Sequence, residues 1–173
     1  MALAVRTPVV ADADALGHVH VRAWQAAYRN GLMPDAYLDA LSPAERSAMW
    51  LQALGAAPSS RRARLVVEAD GVVVGFALVG PADGDPASEV GELYAINVDP
   101  DHWGSGAGPR LIDAAVAALR SAGCARAVLW VHPDNARARR FYAARGWIDD
   151  HVERRQDVLG VEVPEARLSL QLG

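Results

Sequence analysis

One glycine-rich segment has the composition of a phosphate-binding loop. Residues 103–108 read Trp-Gly-Ser-Gly-Ala-Gly; they follow an apolar run that ends at Val98, and Pro109 is suited to begin a helix. Alternating glycines let the backbone turn tightly and aim several N–H groups at one point, where a helix N-terminus adds partial positive charge. The segment predicts a cradle for a diphosphate, with an ordinary glycine-rich turn as the alternative.

Several other kinds of site are excluded. The dinucleotide fingerprint needs glycine where Pro109 stands, and an acidic residue about 20 positions later, which residues 125–132 do not supply. All 17 basic residues are arginine, so a Walker-type loop and Schiff-base chemistry on a lysine are impossible. The single cysteine, Cys124, rules out an internal disulfide and a cysteine zinc site, and its apolar surroundings favour a small buried side chain over a nucleophile.

A second segment, residues 135–147, combines a helical apolar face with a tyrosine beside it. Ala138, Phe141 and Ala144 share the face, and Tyr142 lies about 100° further round the helix. The Tyr142 hydroxyl could serve acid–base chemistry or lie at the rim of the core. Four arginines give the helix a basic side that we expect to be mostly solvated, from which Arg137 or Arg140 could reach a phosphate.

Together the two segments resemble the GNAT superfamily, the general-control-related N-acetyltransferases that use acetyl-CoA. The family's loop pattern Gln/Arg-x-x-Gly-x-Gly/Ala is met by residues 103–108, with Trp103 in place of the usual Gln or Arg. The later pattern Asn-x-x-Ala-x-x-Phe-Tyr-x-x-x-Gly-Phe is met from Asn135 to Trp147, with tryptophan for the last phenylalanine. The resemblance is strong from about Leu65 to Trp147, and we expect Trp103 to affect CoA affinity rather than CoA identity.

The resemblance implies acetyl-CoA as co-substrate, no metal, and direct attack of an amine on the thioester. The main chain of residues 96–98 would pair with the pantetheine arm like an added strand, and the Val98 N–H would donate to the thioester oxygen. Asn135 would bind the cofactor arm, and Tyr142 would protonate the departing thiolate. The implied cofactor contacts are Ile96, Asn97, Val98, Trp103, Gly104, Ser105, Gly106, Ala107, Gly108, Pro109, Arg110, Asn135 and Tyr142.

Glu92 is the candidate general base. It lies 11 residues before Trp103, the spacing of the catalytic glutamate in histone-type members of the family. Strand alternation would place Glu92 on the same face as Tyr94 and Ile96, unless a bulge intervenes. An apolar sheet nearby would raise the pKa of the carboxyl, which suits a base. The alternatives are a surface carboxylate at a strand end and a water chain that replaces a single base.

The acceptor is not encoded in a motif. Trp24 and Tyr28 are four apart on one helix face and could line the acceptor site or pack in the core, and His132 at a strand end could contact the acceptor. Specificity is expected in loops such as 31–35 and 81–88. A small-molecule primary amine is favoured, with a peptide N-terminus or a CoA-binding sensor without catalysis as alternatives. The net charge of −4 mildly favours a cationic acceptor.

Hydrophobic periodicity predicts the elements that must position these residues. The predicted strands are 3–7, 64–69, 72–79, 92–98, 127–131, 147–157 and 163–172, and the predicted helices are 12–28, 34–41, 42–54, 109–121 and 135–145. Asp70-Gly71 marks a tight hairpin. This order indicates an α/β domain with a mixed sheet and a β-α-β crossover. The resemblance adds a mostly antiparallel sheet, splayed at its centre and flanked by helices.

Length and composition set the broader expectations. A chain of 173 residues with 51% hydrophobic residues predicts one folded domain, residues 1–173. A net charge of −4 argues against nucleic-acid and anionic membrane partners, and no apolar stretch is long enough to span a bilayer. The start of the sequence lacks the apolar run of a signal peptide, so a cytoplasmic protein is expected. Residues 163–172 could pair across subunits, so a homodimer is possible.

Overall fold

The described residues form one seven-stranded sheet with helices on both faces. A computed structural model describes residues 1–57, 61–82, 88–158 and 160–173. The strands, in the spatial order β1-β2-β3-β4-β5-β7-β6, are Leu3–Arg6 (β1), Ala63–Ala69 (β2), Val72–Pro81 (β3), Val90–Val98 (β4), Arg126–Val131 (β5), Ile148–Val158 (β6) and Val161–Gln171 (β7). The helices are Ala13–Tyr28 (α1), Asp35–Asp39 (α2), Pro43–Gly55 (α3), Ala107–Ser121 (α4) and Ala136–Ala143 (α5). Among the strands that the structure describes, only β4 and β5 pair in parallel, which confirms the predicted mixed, mostly antiparallel sheet.

Most helices and strands begin and end close to the capping and turn residues that predict their boundaries. Ser42 caps α3 by accepting a hydrogen bond from the Glu45 N–H at 3.3 Å, and Asp70 and Gly71 have the positive φ angles of a tight hairpin turn. The start of α4 is different. The helix begins at Ala107, two residues before the predicted start at Pro109, because Gly106 with φ +93° already reverses the chain. Parts of two predicted loops, residues 58–60 and 83–87, lie outside the described residues.

Two apolar clusters hold the helices against the sheet. On one face α4 packs on the strands through buried residues such as Leu111, Ala77 and Leu129. On the other face α1 and α3 pack through Leu16, Trp50 and Phe76, among others. The buried Cys124 belongs to the first cluster, as its apolar surroundings predict. The sheet therefore separates an α4 face from an α1/α3 face.

The sheet opens at its centre between β4 and β5. These strands pair only over residues 90–92 of β4 and 126–128 of β5. Beyond that point β5 continues to pair with β7 as far as Val131. The edge of β4 from residue 93 to residue 98 consequently has no strand beside it among the described residues. This gap is the predicted splay.

A bulge in β4 changes which side chains share a face. Leu78 pairs with Ala95 and Val79 pairs with Leu93, so Tyr94 has no partner on β3. Simple alternation predicts that the side chains of Glu92, Tyr94 and Ile96 point to the same face of the sheet. This is wrong for Ile96, because the extra residue in the bulge moves the side chains after it to the opposite face. Leu93 and Ile96 pack on the α4 face. Glu92, one residue before Leu93, is on the α1/α3 face.

The last two strands form a hairpin inside this sheet. β7 pairs with β5 on one side and with β6 on the other, so residues 163–171 pair within the chain in this structure, and pairing across subunits stays a prediction. A third apolar cluster joins this hairpin to the end of α1 and to α2, through Met33, Leu38 and Val163 with Trp24 and Tyr28 packed against them. No helix among the described residues is both long and apolar enough to cross a membrane.

Candidate active site

The free edge of β4 presents backbone groups to the gap. The Asp99 N–H donates to the Val74 carbonyl on β3 at 2.8 Å. Successive N–H groups along a strand point to opposite edges, so the Val98 and Ile96 N–H groups point into the gap. An extended ligand could pair with this edge as a further strand would.

The gap ends at the glycine-rich loop. Gly104 and Gly106 have φ angles of +80° and +93°, in the left-handed region that glycine adopts without strain. The Ser105 and Ala107 N–H groups are used inside the loop, whereas those of Gly104, Gly106 and Gly108 have no acceptor in the part of the chain that the structure describes. Three unpaired N–H groups at the start of a helix suit an anion such as a diphosphate.

Trp103 and Arg137 form a stacked pair beside this loop. The Trp103 indole N–H donates to the Val98 carbonyl at 2.8 Å, which ties the side chain to the end of β4. The Arg137 guanidinium lies over the indole ring, 3.1 Å from its centroid, and partial burial lowers its pKa from the ordinary value. A cation therefore sits where the family pattern has Gln or Arg. From the sequence alone, Arg137 is predicted only as one of two arginines that could reach a phosphate.

Helix α5 packs against α4 and carries Tyr142, the predicted proton donor. Asn135 caps α5, because its side-chain oxygen accepts from the Ala138 N–H at 3.1 Å. Phe141 lies 3.3 Å from the position that a Cβ on Gly108 would occupy, so the two motif segments are in contact. Tyr142 is buried, and its ring contacts those of Phe141 and Trp147. Burial, with a smaller effect from the nearby Tyr28, raises the pKa of the Tyr142 hydroxyl, which keeps it protonated.

Glu92 is on the α1/α3 face of the sheet, as its strand pairing shows. It pairs with Gly80 on β3, and residues directly opposite each other share a face. A Cβ on Gly80 would lie 2.8 Å from both the Arg62 Cγ and the Tyr94 hydroxyl oxygen. The Tyr94 hydroxyl itself donates to the Pro81 carbonyl. Glu92 is thus on the same face of the sheet as α1 and α3.

The predicted acceptor-side residues are largely packed. The Trp24 and Tyr28 rings are 5.2 Å apart at the end of α1. Burial raises the pKa of Tyr28, and the charge of Glu165 adds to this. His132, at the end of β5, is buried, and its Nδ1 accepts from the Asp134 N–H at 3.1 Å.

The structure also gives the positions of the other residues that are predicted to contact the cofactor. Asn97 lies on β4 opposite Phe76, and Pro109 lies in the first turn of α4. The Arg110 N–H donates to the Gly106 carbonyl at 3.2 Å, so only the exposed Arg110 side chain remains for a ligand. Within the described ranges, no group of three His, Cys, Asp or Glu residues could hold a metal ion.

Comparison with known proteins agrees with this geometry. The family model described as Acetyltransferase (GNAT) family matches residues 21–147. An uncharacterized N-acetyltransferase of Mycobacterium bovis is 32% identical over 139 residues, which cover 79% of this chain and 83% of that protein. A mycothiol acetyltransferase of Cellulomonas flavigena is also 32% identical, over 142 residues. The match covers 79% of this chain but only 37% of that enzyme's length.

Solved structures with the same fold are numerous. One is the PaiA N-acetyltransferase of Thermoplasma acidophilum in complex with coenzyme A. It superimposes with a TM-score of 0.76 at 18% sequence identity, over 99% of both chains. At this identity the similarity establishes the fold alone.

Proposed function

Because the chain belongs to the GNAT family of acetyltransferases, we propose that it transfers the acetyl group of acetyl-CoA to the primary amine of a small molecule. The observation that carries this proposal is the gap beside β4, which leads to a loop with three unpaired N–H groups. A free strand edge suits the amide-rich arm of CoA, and the loop suits its diphosphate.

The residues of this chain fit the cofactor. The N–H groups of Gly104, Gly106 and Gly108 hold the diphosphate, and Arg137, stacked on Trp103, brings a positive charge to the same loop. The N–H groups of Ile96 and Val98 hold the pantetheine arm along β4. The Val98 carbonyl already accepts from Trp103, so the arm relies on the remaining groups of this edge.

The chemistry is a direct acetyl transfer from sulfur to nitrogen, for which the thioester supplies the acetyl group. Glu92 takes a proton from the ammonium of the acceptor, directly or through a water, so that the nitrogen can attack. The Val98 N–H stabilises the negative charge that develops on the thioester oxygen. The C–N bond forms as the C–S bond breaks, and Tyr142 gives its proton to the departing sulfur. The nitrogen that attacked then releases its second proton to water or to the Tyr142 oxygen, which leaves the neutral amide. No enzyme nucleophile is needed.

The environment of Tyr142 is compatible with this role. Its pKa is raised by burial, so the hydroxyl retains its proton at neutral pH. The same apolar surroundings disfavour a thiolate, and the sulfur therefore takes up a proton as it leaves. The proton is then replaced from solvent or from the acceptor side.

The packing around the gap supports a small acceptor. The third apolar cluster joins the end of α1 and α2 to the β6–β7 hairpin, with Met33, Leu38 and Val163 buried in it. In this proposal, an extended peptide would have to pass these packed elements on its way to the gap. A small molecule can enter without separating these elements.

A thiol-release assay tests the reaction. The purified chain is incubated with acetyl-CoA and a panel of polyamines, aminoglycosides, amino acids and short peptides, and free CoA thiol is measured. Thiol release that depends on a small amine is the expected result. Release only with peptides would assign the chain to peptide acetylation, and CoA binding without release for any amine would make it a CoA sensor; either result would overturn the proposal.

A matched pair of glycine variants tests the loop. Gly104 and Gly123 both have φ near +80°, and a Cβ would meet nothing within 4 Å at either position. Alanine therefore brings similar backbone strain, about 1 kcal/mol or more, at both sites. We expect Gly104→Ala to weaken CoA binding measured by calorimetry, and Gly123→Ala to leave it unchanged. Equal binding by both variants would remove the loop from the site.

A further inference from the structure

A second concave site lies on the α1/α3 face. A cavity of about 290 Å³ opens between α3 and the strands β2 to β4. Trp50, Leu78 and the ring of Tyr94 are part of its wall. Tyr94 is the bulged residue of β4, and it lies on the same face as Glu92. The cavity is therefore lined by a residue two positions from the candidate base, on the side of the sheet away from α4.

Three arginines line this cavity: Arg46, Arg62 and Arg64. The ion pairs among the described residues engage other arginines, and none of these three is within 4.0 Å of a described carboxylate oxygen. Arg46 contacts the Met49 sulfur, and Arg62 lies 5.8 Å from the centre of the Tyr94 ring. The three arginines bring positive charge to a cavity whose wall is otherwise largely apolar. Such a cavity suits a ligand that is anionic at one end and apolar elsewhere.

His20 adds no charge to the cavity. It also lines the wall, and burial together with the charge of Arg46 lowers its pKa to about 4. At neutral pH the imidazole is therefore uncharged, and it can donate or accept one hydrogen bond. The local charge is set by the arginines and is opposite in sign to the net charge of −4 of the whole chain.

Resting on the proposed function, we propose that this cavity binds the carboxylate and apolar side chain of an α-amino acid, whose amine is the acetyl acceptor. A guanidinium pairs with a carboxylate through two parallel hydrogen bonds, which fixes its orientation. With the carboxylate held by the arginines, the adjacent ammonium is directed towards Glu92. The volume is at the lower end of the range for small-molecule sites, about 300–1,000 Å³, which fits one amino acid.

The test compares acceptors that differ only in the carboxylate. Thiol release by the wild-type chain is measured with L-leucine, L-methionine and L-phenylalanine, with their amides, and with the decarboxylated amines. We expect kcat/KM to be about ten- to a hundredfold higher for the acids. The amide loses its ammonium proton more readily than the acid, so a preference for the acid must come from recognition. Equal or higher rates for the amides and amines would overturn the inference.

Variants of the cavity arginines test whether these residues cause the preference for acceptors that carry a carboxylate. Arg46→Met and Arg64→Met keep the apolar stem and remove the charge, and each is expected to raise KM for the acids while leaving the rates with decarboxylated amines unchanged. Arg155→Met, at a mostly exposed position on β6, is the matched control. A preference for acids that survives in both cavity variants would place the carboxylate elsewhere and sink the inference.

The same assay separates the two proposals. If decarboxylated amines or polyamines are acetylated better than amino acids, the acetyltransferase function holds and the arginine cavity has no part in acceptor choice. If no amine of any kind supports thiol release, the proposed function itself fails. Calorimetry with CoA alone then shows whether the cofactor site remains.

Discussion

Position 103 is the place where this chain departs most from the family pattern, and an arginine side chain lies over the tryptophan found there. Tryptophan cannot donate to a phosphate as arginine does, and its indole N–H is already bonded to the Val98 carbonyl. Its ring instead supports the Arg137 guanidinium at 3.1 Å. Stacking on an aromatic face orients a guanidinium while leaving its N–H groups free at the edge.

We expect Arg137→Met to weaken the binding of CoA and of dephospho-CoA by the same factor, about tenfold. The reason is that the stacked guanidinium lies beside the diphosphate loop, and dephospho-CoA retains the diphosphate. Calorimetry with both ligands measures this. Arg140→Met is the comparison, since its side chain is exposed on the same helix. Loss of CoA binding alone, with dephospho-CoA unaffected, would show that Arg137 binds the 3′-phosphate instead.

Tyr142→Phe tests the proton donor. The change removes one hydroxyl from a buried ring that keeps its contacts with Phe141 and Trp147. We expect kcat for thiol release to fall by about 10²- to 10⁴-fold, with CoA affinity within a factor of about two. Tyr37→Phe, in the third apolar cluster, is expected to leave kcat unchanged. Wild-type turnover in Tyr142→Phe would mean that another group protonates the sulfur.

His20 makes stability depend on pH. Its pKa is about 4 in the folded chain, against an ordinary 6.5, mainly because it is buried. Between these values the unfolded chain binds a proton that the folded chain does not, so stability falls as the pH drops from 6.5 to 4. The expected slope is at most about 1.4 kcal/mol per pH unit. Urea titrations of wild type and His20→Phe measure it, and an unchanged slope in the variant would contradict the assignment.

At the scale of elements, the bulge in β4 and the separation of β4 from β5 organise the site. The bulge puts Glu92 on the α1/α3 face while the Val98 N–H points into the gap. In the proposed mechanism, Glu92 then reaches the amine from the α1/α3 face while the Val98 N–H faces the thioester carbonyl in the gap. Helix α5 is brought to the same gap because Phe141 packs on Gly108 of α4. A Cβ at position 108 would lie 3.3 Å from the Phe141 ring, so the ring would have to shift by a few tenths of an ångström.

The outer strands are joined by one carboxylate. Asp150 on β6 accepts from Arg126 on β5 and from Arg167 and Ser169 on β7, at 2.7–2.8 Å. Burial alone would raise its pKa, but these hydrogen bonds and the two arginine charges hold the pKa below the ordinary value. The three partners lie on two strands, so a single side chain links β5, β6 and β7.

We expect Asp150→Ala to lower the free energy of unfolding by about 2–4 kcal/mol, because it leaves two arginines without their common partner. Denaturant unfolding at pH 7 measures the change. The comparison is Glu162→Ala, whose pair with Arg155 is 3.8 Å apart and mostly exposed, so we expect less than about 0.5 kcal/mol. Similar losses in the two variants would show that the Asp150 network adds nothing to stability.

At the scale of the whole molecule, one sheet connects the two motif segments to both ends of the described chain. That residues 1–173 act as a single domain stays a prediction, as do a cytoplasmic location and a homodimer. The edge strand β6 carries several charged side chains along the outer edge of the sheet. Such residues discourage edge-to-edge pairing of strands between copies.

Thermal unfolding with and without CoA tests the molecule as a unit. At about 100 times its Kd, a ligand bound only by the folded state adds about 2.7 kcal/mol, or roughly 5–10 °C in Tm at this size. We expect one transition that moves as a whole, because β1 and β7 belong to the same sheet. Two transitions, of which CoA shifts only one, would divide the chain into separate folding units.

The amino-acid sequence by itself determined the features that depend on neighbouring residues. The glycine loop, the Asp70-Gly71 hairpin and the cap at Ser42 follow from local backbone preferences, and the motif from Asn135 to Trp147 identifies the family. The strands and helices were predicted to within a few residues for the same reason, since their period is visible in a short window.

Only the tertiary structure decided which side chains, distant in the sequence, lie close together in the site. The face of Glu92 depends on a pairing with Gly80 and on a bulge that alternation does not reveal. The stack of Arg137 on Trp103 joins residues 34 positions apart, and the arginine cavity joins α3 to the start of β2. Such contacts are set by strand register and by helix packing, which sum over many distant residues. No short window of sequence contains that information.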